Sequence, residues 1–146
     1  ATPSPNASAA RALLRLATLL DHEDYLKHGQ KTLLTFAGRV RQAPSGHLDM
    51  MSAADYILYP DIKIALVAEG GPSQVTAMLK AVHKRFLPNA LVVVSDGGET
   101  AAKRVALLEY RTPLEGKPTA YVCEGYTCKR PATSTEELEK LLDETQ

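Results

Sequence analysis

Ile62-Lys63-Ile64-Ala65-Leu66-Val67-Ala68 is the stretch on which the fold turns. Its β-branched and aliphatic side chains lie between Pro60 and the breakers Glu69-Gly70-Gly71-Pro72-Ser73, the punctuation of a strand. Pro72 suits a first helical turn, where its missing N–H costs nothing. The helix expected from about Ser73 to Phe86 puts Val75, Met78, Leu79, Val82 and Phe86 on one face. Gln74, Lys80, Lys84 and Arg85 fall on the other, and Leu87-Pro88-Asn89 stops it. Ala90-Leu91-Val92-Val93-Val94 reads as a second strand, apolar without alternation, as when both faces of a sheet are covered. Asp96-Gly97-Gly98 turns into a short helix, about Glu99 to Tyr110, and Thr119-Ala120-Tyr121-Val122-Cys123 reads as a third strand. Ser134-Thr135-Glu136-Glu137 is a capping box opening a last helix, with Leu138, Leu141 and Leu142 inward. Strands alternating with helices predict an α/β domain over 60–146: a small βαβαβα layer with a mainly parallel three-stranded sheet.

Upstream of Pro60 the period is helical. Asn6 or Ser8 can cap a helix running to about Leu20, with Ala9, Leu13, Leu16 and Leu20 in one stripe, widened by Ala10, Leu14 and Ala17. Asp21 can cap a second helix to about Val40, carrying Tyr25, Leu26, Gly29, Leu33, Phe36, Ala37 and Val40 on its inner side. The near-absence of a spacer forces an antiparallel hairpin. After Ala43-Pro44-Ser45-Gly46, a third helix from about His47 to Leu58 carries Leu48, Met51, Ala54 and Ile57 or Leu58. Three helices with such wide apolar faces make a poor isolated bundle. Residues 1–59 therefore read as the end of a larger helical array.

Composition narrows the function classes. Lys plus Arg (17) balances Asp plus Glu (17), which argues against nucleic acid as a partner. The longest apolar run is about five residues, far short of a membrane span. Nothing at the N-terminus reads as a signal peptide, and two cysteines are too few for a disulfide scaffold, so a reducing, cytoplasmic setting is the expectation.

Chemistry-bearing residues are sparse. The turns Glu69-Gly70-Gly71 and Ser95-Asp96-Gly97-Gly98 follow strands and precede helices, where free N–H groups can hold phosphate. Neither matches a dinucleotide or P-loop pattern, and tight turns needing positive φ account for them. Cys123 and Cys128 form C-x4-C, not the C-x-x-C of a redox helix. Gly125 can fold the intervening loop so that the sulfurs meet. Free thiols, a labile disulfide and a metal site all stay open, though zinc would need about four ligands. His22, His28, His47 and His83 are scattered, and no metal or cofactor is expected. His28 and His83 read as exposed, while His47, two residues before Asp49, is a weak site candidate. No Ser/His/Asp or Cys/His constellation can be assembled, so whether the chain is an enzyme stays open.

Three stretches carry a resemblance over essentially the whole chain. Pro3-Ser4-Pro5-Asn6-Ala7-Ser8-Ala9-Ala10 with Leu13-Leu14-Arg15-Leu16, the strand Pro60-Asp61-Ile62-Lys63-Ile64-Ala65-Leu66-Val67 with Arg85-Phe86-Leu87-Pro88-Asn89, and Ala120-Tyr121-Val122-Cys123-Glu124-Gly125-Tyr126-Thr127-Cys128 through Pro131 and Glu136-Glu137-Leu138 appear in order. Together they resemble the C-terminal region of YyaL-type thioredoxin-domain-containing proteins, the spermatogenesis-associated protein-like family. That resemblance implies an N-terminal thioredoxin-like domain, a six-hairpin (α/α) toroid similar to sugar epimerases and glycosidases, and a C-terminal α/β segment. It implies that residues 1–59 are the closing hairpins of the toroid and that Ser4 and Asn6 lie at its cavity rim. Pro5 stands where the family has Gly, Gly125 where it has Asn, and Asp61-Ile62-Lys63 replaces an acidic-Ile-Val run.

Three functions follow as expectations. The first is a non-catalytic accessory segment whose partner is the rest of its own longer polypeptide, or a second copy met through the apolar helices. The second is part of a carbohydrate-active enzyme with Ser4 and Asn6 near the ligand. The third is thiol–disulfide exchange through Cys123 and Cys128.

Overall fold

Helix α1 (Pro5–Leu20) begins where the Ser4 hydroxyl accepts the amide of Ala7 at 3.4 Å. The structure, a computed structural model, describes residues 4–59, 62–125 and 127–145. Pro60, Asp61 and Tyr126, which figure in the motifs above, lie outside the described residues, as do residues 1–3. The chain divides into two compact units, Ala1–Pro60 and Asp61–Gln146.

In the first unit, Ser4 is the cap expected of Asn6 or Ser8. Pro5 explains the shift, because its fixed φ suits the first helical position and draws the start forward. Asp21 does not cap α2 (Glu23–Gln42). It closes α1 instead, in the left-handed region at φ 51°, and His22 precedes α2 without a side-chain bond. A 3₁₀ turn at Pro44–Gly46 then leads into α3 (Leu48–Leu58).

The buried faces are narrower than the sequence stripes. Helix α1 buries Ala7, Ala10, Leu14 and Ala17, while Leu13 and Leu20 are half-buried and Ala9 and Leu16 exposed. Small residues win here because α1 and α2 meet where Gly29 permits close approach, and Gly29 is the one buried residue of α2. Helix α3 turns Met50, Ala53 and Tyr56 inward. Leu48, Met51 and Ile57 or Leu58, expected inside, are exposed. Tyr56 supplies a reason: on that side its hydroxyl finds a partner, donating to Thr18 Oγ1 at 3.1 Å.

The second unit holds a four-stranded mixed sheet in the order β2-β1-β3-β4, not a mainly parallel three-stranded one. Strand β1 (Ile62–Val67) runs parallel to β2 (Leu91–Ser95), joined through a 3₁₀ turn at Pro72–Val75 and α4 (Thr76–His83). Strand β3 (Thr119–Glu124) is antiparallel to β1, with Val67 opposite Thr119 and Ile62 opposite Glu124. The reason lies in the connection. β2 ends at Ser95 beside Val67, and β3 starts at Thr119 beside the same Val67, so residues 96–118 leave and return at one end of the sheet. A crossover would need a helix long enough to traverse the sheet. Helix α5 (Glu99–Arg104) is too short, ending at Val105 instead of continuing to Tyr110, with a 3₁₀ turn at Ala106–Leu108 after it.

Strand β4 (Thr127–Cys128), unforeseen in the sequence, pairs back on β3 through a two-residue loop in which Gly125 has φ 55°. A positive φ in such a loop matches the twist of a tight hairpin. Helix α6 (Thr135–Asp143) closes the chain from its Ser134 cap. Ile64, Leu66, Ala120 and Val122 alternate onto one sheet face and pack with Val75, Met78, Val82, Leu138 and Leu142 of the helical layer. Phe86, expected inward, is 88% exposed, because α4 ends at His83 before another turn can carry it round.

Candidate functional site

Period-two alternation puts Thr119, Tyr121 and Cys123 on the face of β3 opposite the helical core. Cys128 is the register partner of Cys123 across the hairpin, and the two are joined as a disulfide with Cα atoms 3.9 Å apart. Of the states left open by the sequence, the structure holds the disulfide. Cys123 is only 2% exposed, whereas Cys128, on the edge strand, is exposed. The hairpin is braced at its turn, where Lys63 Nζ donates to the carbonyl of Gly125 at 3.1 Å. Lys129 secures its far side, donating from Nζ to Thr145 Oγ1 at 2.8 Å and to Leu141 O at 3.3 Å.

Sequence reasoning missed the cation of this site. Arg111, in the loop before β3, directs Nη2 at both sulfurs, 3.2 Å from Cys123 Sγ and 3.4 Å from Cys128 Sγ. Its Nη1 donates to Leu107 O, and its guanidinium carbon lies 6.0 Å from the Tyr121 ring centroid. The Tyr121 hydroxyl donates to Thr112 O at 2.7 Å, which fixes the ring beneath it. Burial pulls the Arg111 guanidinium below its ordinary value, yet a group of that basicity stays cationic at neutral pH. The signal that could have found it is weak: an Arg beside a buried strand, without local spacing to the cysteines.

The other candidates are placed elsewhere. Ser4 spends its hydroxyl on the α1 cap and its amide on Asp49 Oδ2 at 3.0 Å, and Asn6 is exposed in the first turn. Asp49 thus turns to Ser4, while His47 is half-buried at the start of α3. His28 and His83 are exposed. Gly71 and Gly97 do hold positive φ, 75° and 80°. The amides that could hold a phosphate are taken by the protein itself: Gly70 N–H by Gln74, Gly71 N–H by Ala68 O, Gly97 N–H by Ser95 and Gly98 N–H by Asp96. Among the described residues no group of three or more His, Cys, Asp or Glu could hold a metal. No helix among them is long and apolar enough to cross a membrane.

Comparison with known proteins bears on the setting of this hairpin. The chain is 30% identical over 144 residues to human spermatogenesis-associated protein 20 and 28% identical over 144 residues to the rat protein of that name. Each match covers 97% of this chain but 18% of the relative. An uncharacterised Caenorhabditis elegans protein is 25% identical over 152 residues, covering 98% of this chain and 20% of that protein. The similarity fits a C-terminal segment of a larger protein. No family model matches the chain, and no solved structure does.

Proposed function

We propose that this chain is an accessory segment of a larger protein, without turnover of its own, which docks through α2 and α3 onto the preceding part of the same polypeptide. The observation that carries this reading is three open leucines on α2 and α3: Leu34, Leu48 and Leu58 are 75%, 66% and 76% exposed. Burying each fully is worth about 1.5–3 kcal/mol, so leaving them in water is costly unless something covers them. The chain spans only 18% of the length of the human relative, and a longer polypeptide of that kind would have further residues to cover them. In that setting the three helices act as the closing hairpins of an (α/α) toroid. The test is to co-express the upstream part with the 146-residue chain and with a Leu34→Glu/Leu48→Glu/Leu58→Glu form. Copurification of the first and not the second supports the reading. A chain that stays monomeric and ignores the upstream part overturns it, and self-association through the same leucines redirects it to a second copy.

The second reading is a thiol–disulfide couple at Cys123 and Cys128, favoured by the disulfide and the guanidinium set against it. Titration of the native chain against dithiothreitol buffers, with thiols trapped and read by mass spectrometry, tests it. Reversible interconversion supports the couple. A pair that cannot be reduced while the chain stays folded removes it.

A further inference from the structure

We infer that Arg111 is the positioning residue of an exchange centre in which a dithiol donor attacks the exposed sulfur of Cys128 and the buried Cys123 leaves as a thiolate held by Arg111. This rests on the thiol–disulfide reading and adds a direction, a leaving group and a substrate class to it.

Access sets the direction. Exchange depends on which sulfur an incoming thiolate can reach. Cys123 is 2% exposed and Cys128 lies exposed on the edge strand, so the entering sulfur meets Cys128 and the bond to Cys123 breaks. The leaving charge then appears on the buried partner. A thiolate in such a place is costly unless a cation receives it. Arg111 Nη2 is already there, nearer to Cys123 Sγ (3.2 Å) than to Cys128 Sγ (3.4 Å).

The guanidinium is also held independently of the sulfurs. Its Nη1 bonds Leu107 O, its backbone N–H donates to Leu108 O at 3.1 Å, and the Tyr121 ring lies against it. A donor fixed before the charge develops stabilises it without reorganising. A cation so placed replaces the helix N-terminus that lowers thiol pKa in redox helices.

The step balances with a dithiol as reductant. A donor thiolate forms a bond to Cys128 Sγ, the Cys123–Cys128 bond breaks, and Cys123 departs as a thiolate beside Arg111. The donor's second thiol, deprotonated, then attacks its own sulfur in the mixed disulfide and releases Cys128, which takes up a proton. The donor is oxidised by two electrons to a disulfide and the hairpin is reduced by two. A flexible or surface-exposed dithiol peptide fits, because only the rim sulfur must be reached.

The experiment compares the full chain with Arg111→Gln and Arg111→Lys in dithiothreitol redox buffers at neutral pH. Arg111→Gln should lower the dithiol-to-disulfide ratio at fixed poise about tenfold, a midpoint roughly 30 mV more negative, and Arg111→Lys should retain most of it. In the reduced chain, the thiolate absorbance of Cys123 should titrate at higher pH in Arg111→Gln, a change that mere packing loss would not produce. An unchanged ratio and titration overturn the role of Arg111 while leaving the couple intact; a wild-type pair that never exchanges overturns the couple itself. Should Arg111→Gln fail to fold, glutathione disulfide serves as probe on single-cysteine chains. Cys128 in Cys123→Ser should form the mixed disulfide at least about tenfold faster than Cys123 in Cys128→Ser, following access. Equal rates overturn the direction.

Discussion

Leu14 lies so close against Gly29 that a Cβ on residue 29 would sit 2.8 Å from both Leu14 Cγ and Cδ2. Leu14 is 1% exposed and cannot swing aside, so the contact sets how near α1 and α2 approach. Gly38, on the same helix, has nothing within 4 Å of the equivalent point. The two glycines should therefore respond oppositely to alanine. Gly38→Ala should stabilise by up to about 1 kcal/mol through helix propensity. Gly29→Ala should destabilise by about 1–3 kcal/mol, as overpacking outweighs the same propensity gain. Urea unfolding of both variants decides it, and a stabilised Gly29→Ala would show that the helices separate freely.

That contact marks the limit of what periodicity reveals. The apolar stripe of α1 was legible, Ala10, Leu14 and Ala17 included, but not that this widening edge together with Ala7 would be the buried part while Ala9 and Leu16 stay exposed, since this depends on a glycine in the next helix. Strand β1, strand β2 and the Ser134 cap were legible because run length, breakers and the capping box are local. The antiparallel β3 was not. Its direction depends on where residues 96–118 return, and strand and helix alternation is silent on that. Strand β4 was not legible either: Gly125 marked a loop able to bring the two sulfurs together, but two residues, Thr127 and Cys128, are too short a run to show a strand. Cys123 and Cys128 were visible as a pair, while Arg111 reaches them from a loop with no sequence pattern tying it there.

Thr119 is fully buried, and its hydroxyl serves two backbone groups at once. Oγ1 accepts from Leu114 N–H and donates to Lys117 O, both at 2.9 Å, pinning the loop that enters β3. Thr119→Val keeps the shape and strands both partners, so it should cost about 1–3 kcal/mol. Thr119→Ser keeps the hydroxyl and loses a methyl, for about 1 kcal/mol. Chemical denaturation should rank serine above valine; the reverse order would show that the methyl, not the hydroxyl, secures the loop.

Glu137 gives the chain a dependence on acid. The amide of Thr133 donates to its Oε2 at 2.8 Å, and together with the Thr133 hydroxyl and the charge of Arg130 this holds the carboxyl below its ordinary value of 4.5. A depressed folded-state value means the charged form is favoured in the native chain. Its contribution is full above about pH 4.5 and is lost as pH falls through the lowered value. Glu137→Gln should therefore differ most from wild type at neutral pH and converge with it in acid. Thermal midpoints across that range check this, and a constant gap would mean that the Glu137 charge plays no part.

Arg85 joins the end of α4 to α6 through four donated bonds. Nε and Nη2 reach Asp143 Oδ1 at 3.0 and 2.6 Å, Nη2 also reaches Glu139 O at 3.0 Å, and Nη1 reaches Ala81 O at 3.0 Å. The carboxylate is the lesser partner: Asp143 is 67% exposed, and an ion pair that open to water contributes under about 1 kcal/mol. The carbonyls of Ala81 and Glu139 matter more, because the Arg85 side chain is only 14% exposed and its bonds to them are partly buried, whereas those to Asp143 are open to water. Asp143→Asn should thus be nearly silent, within about 1 kcal/mol. Arg85→Met, which keeps the apolar stem and removes the donors, should cost about 1–3 kcal/mol. Added salt should leave that difference largely in place, since the bonds that matter end on neutral carbonyls. If Asp143→Asn proves as costly as Arg85→Met, or salt erases the gap between them, the ion pair and not the carbonyl bridge fastens α6 to α4.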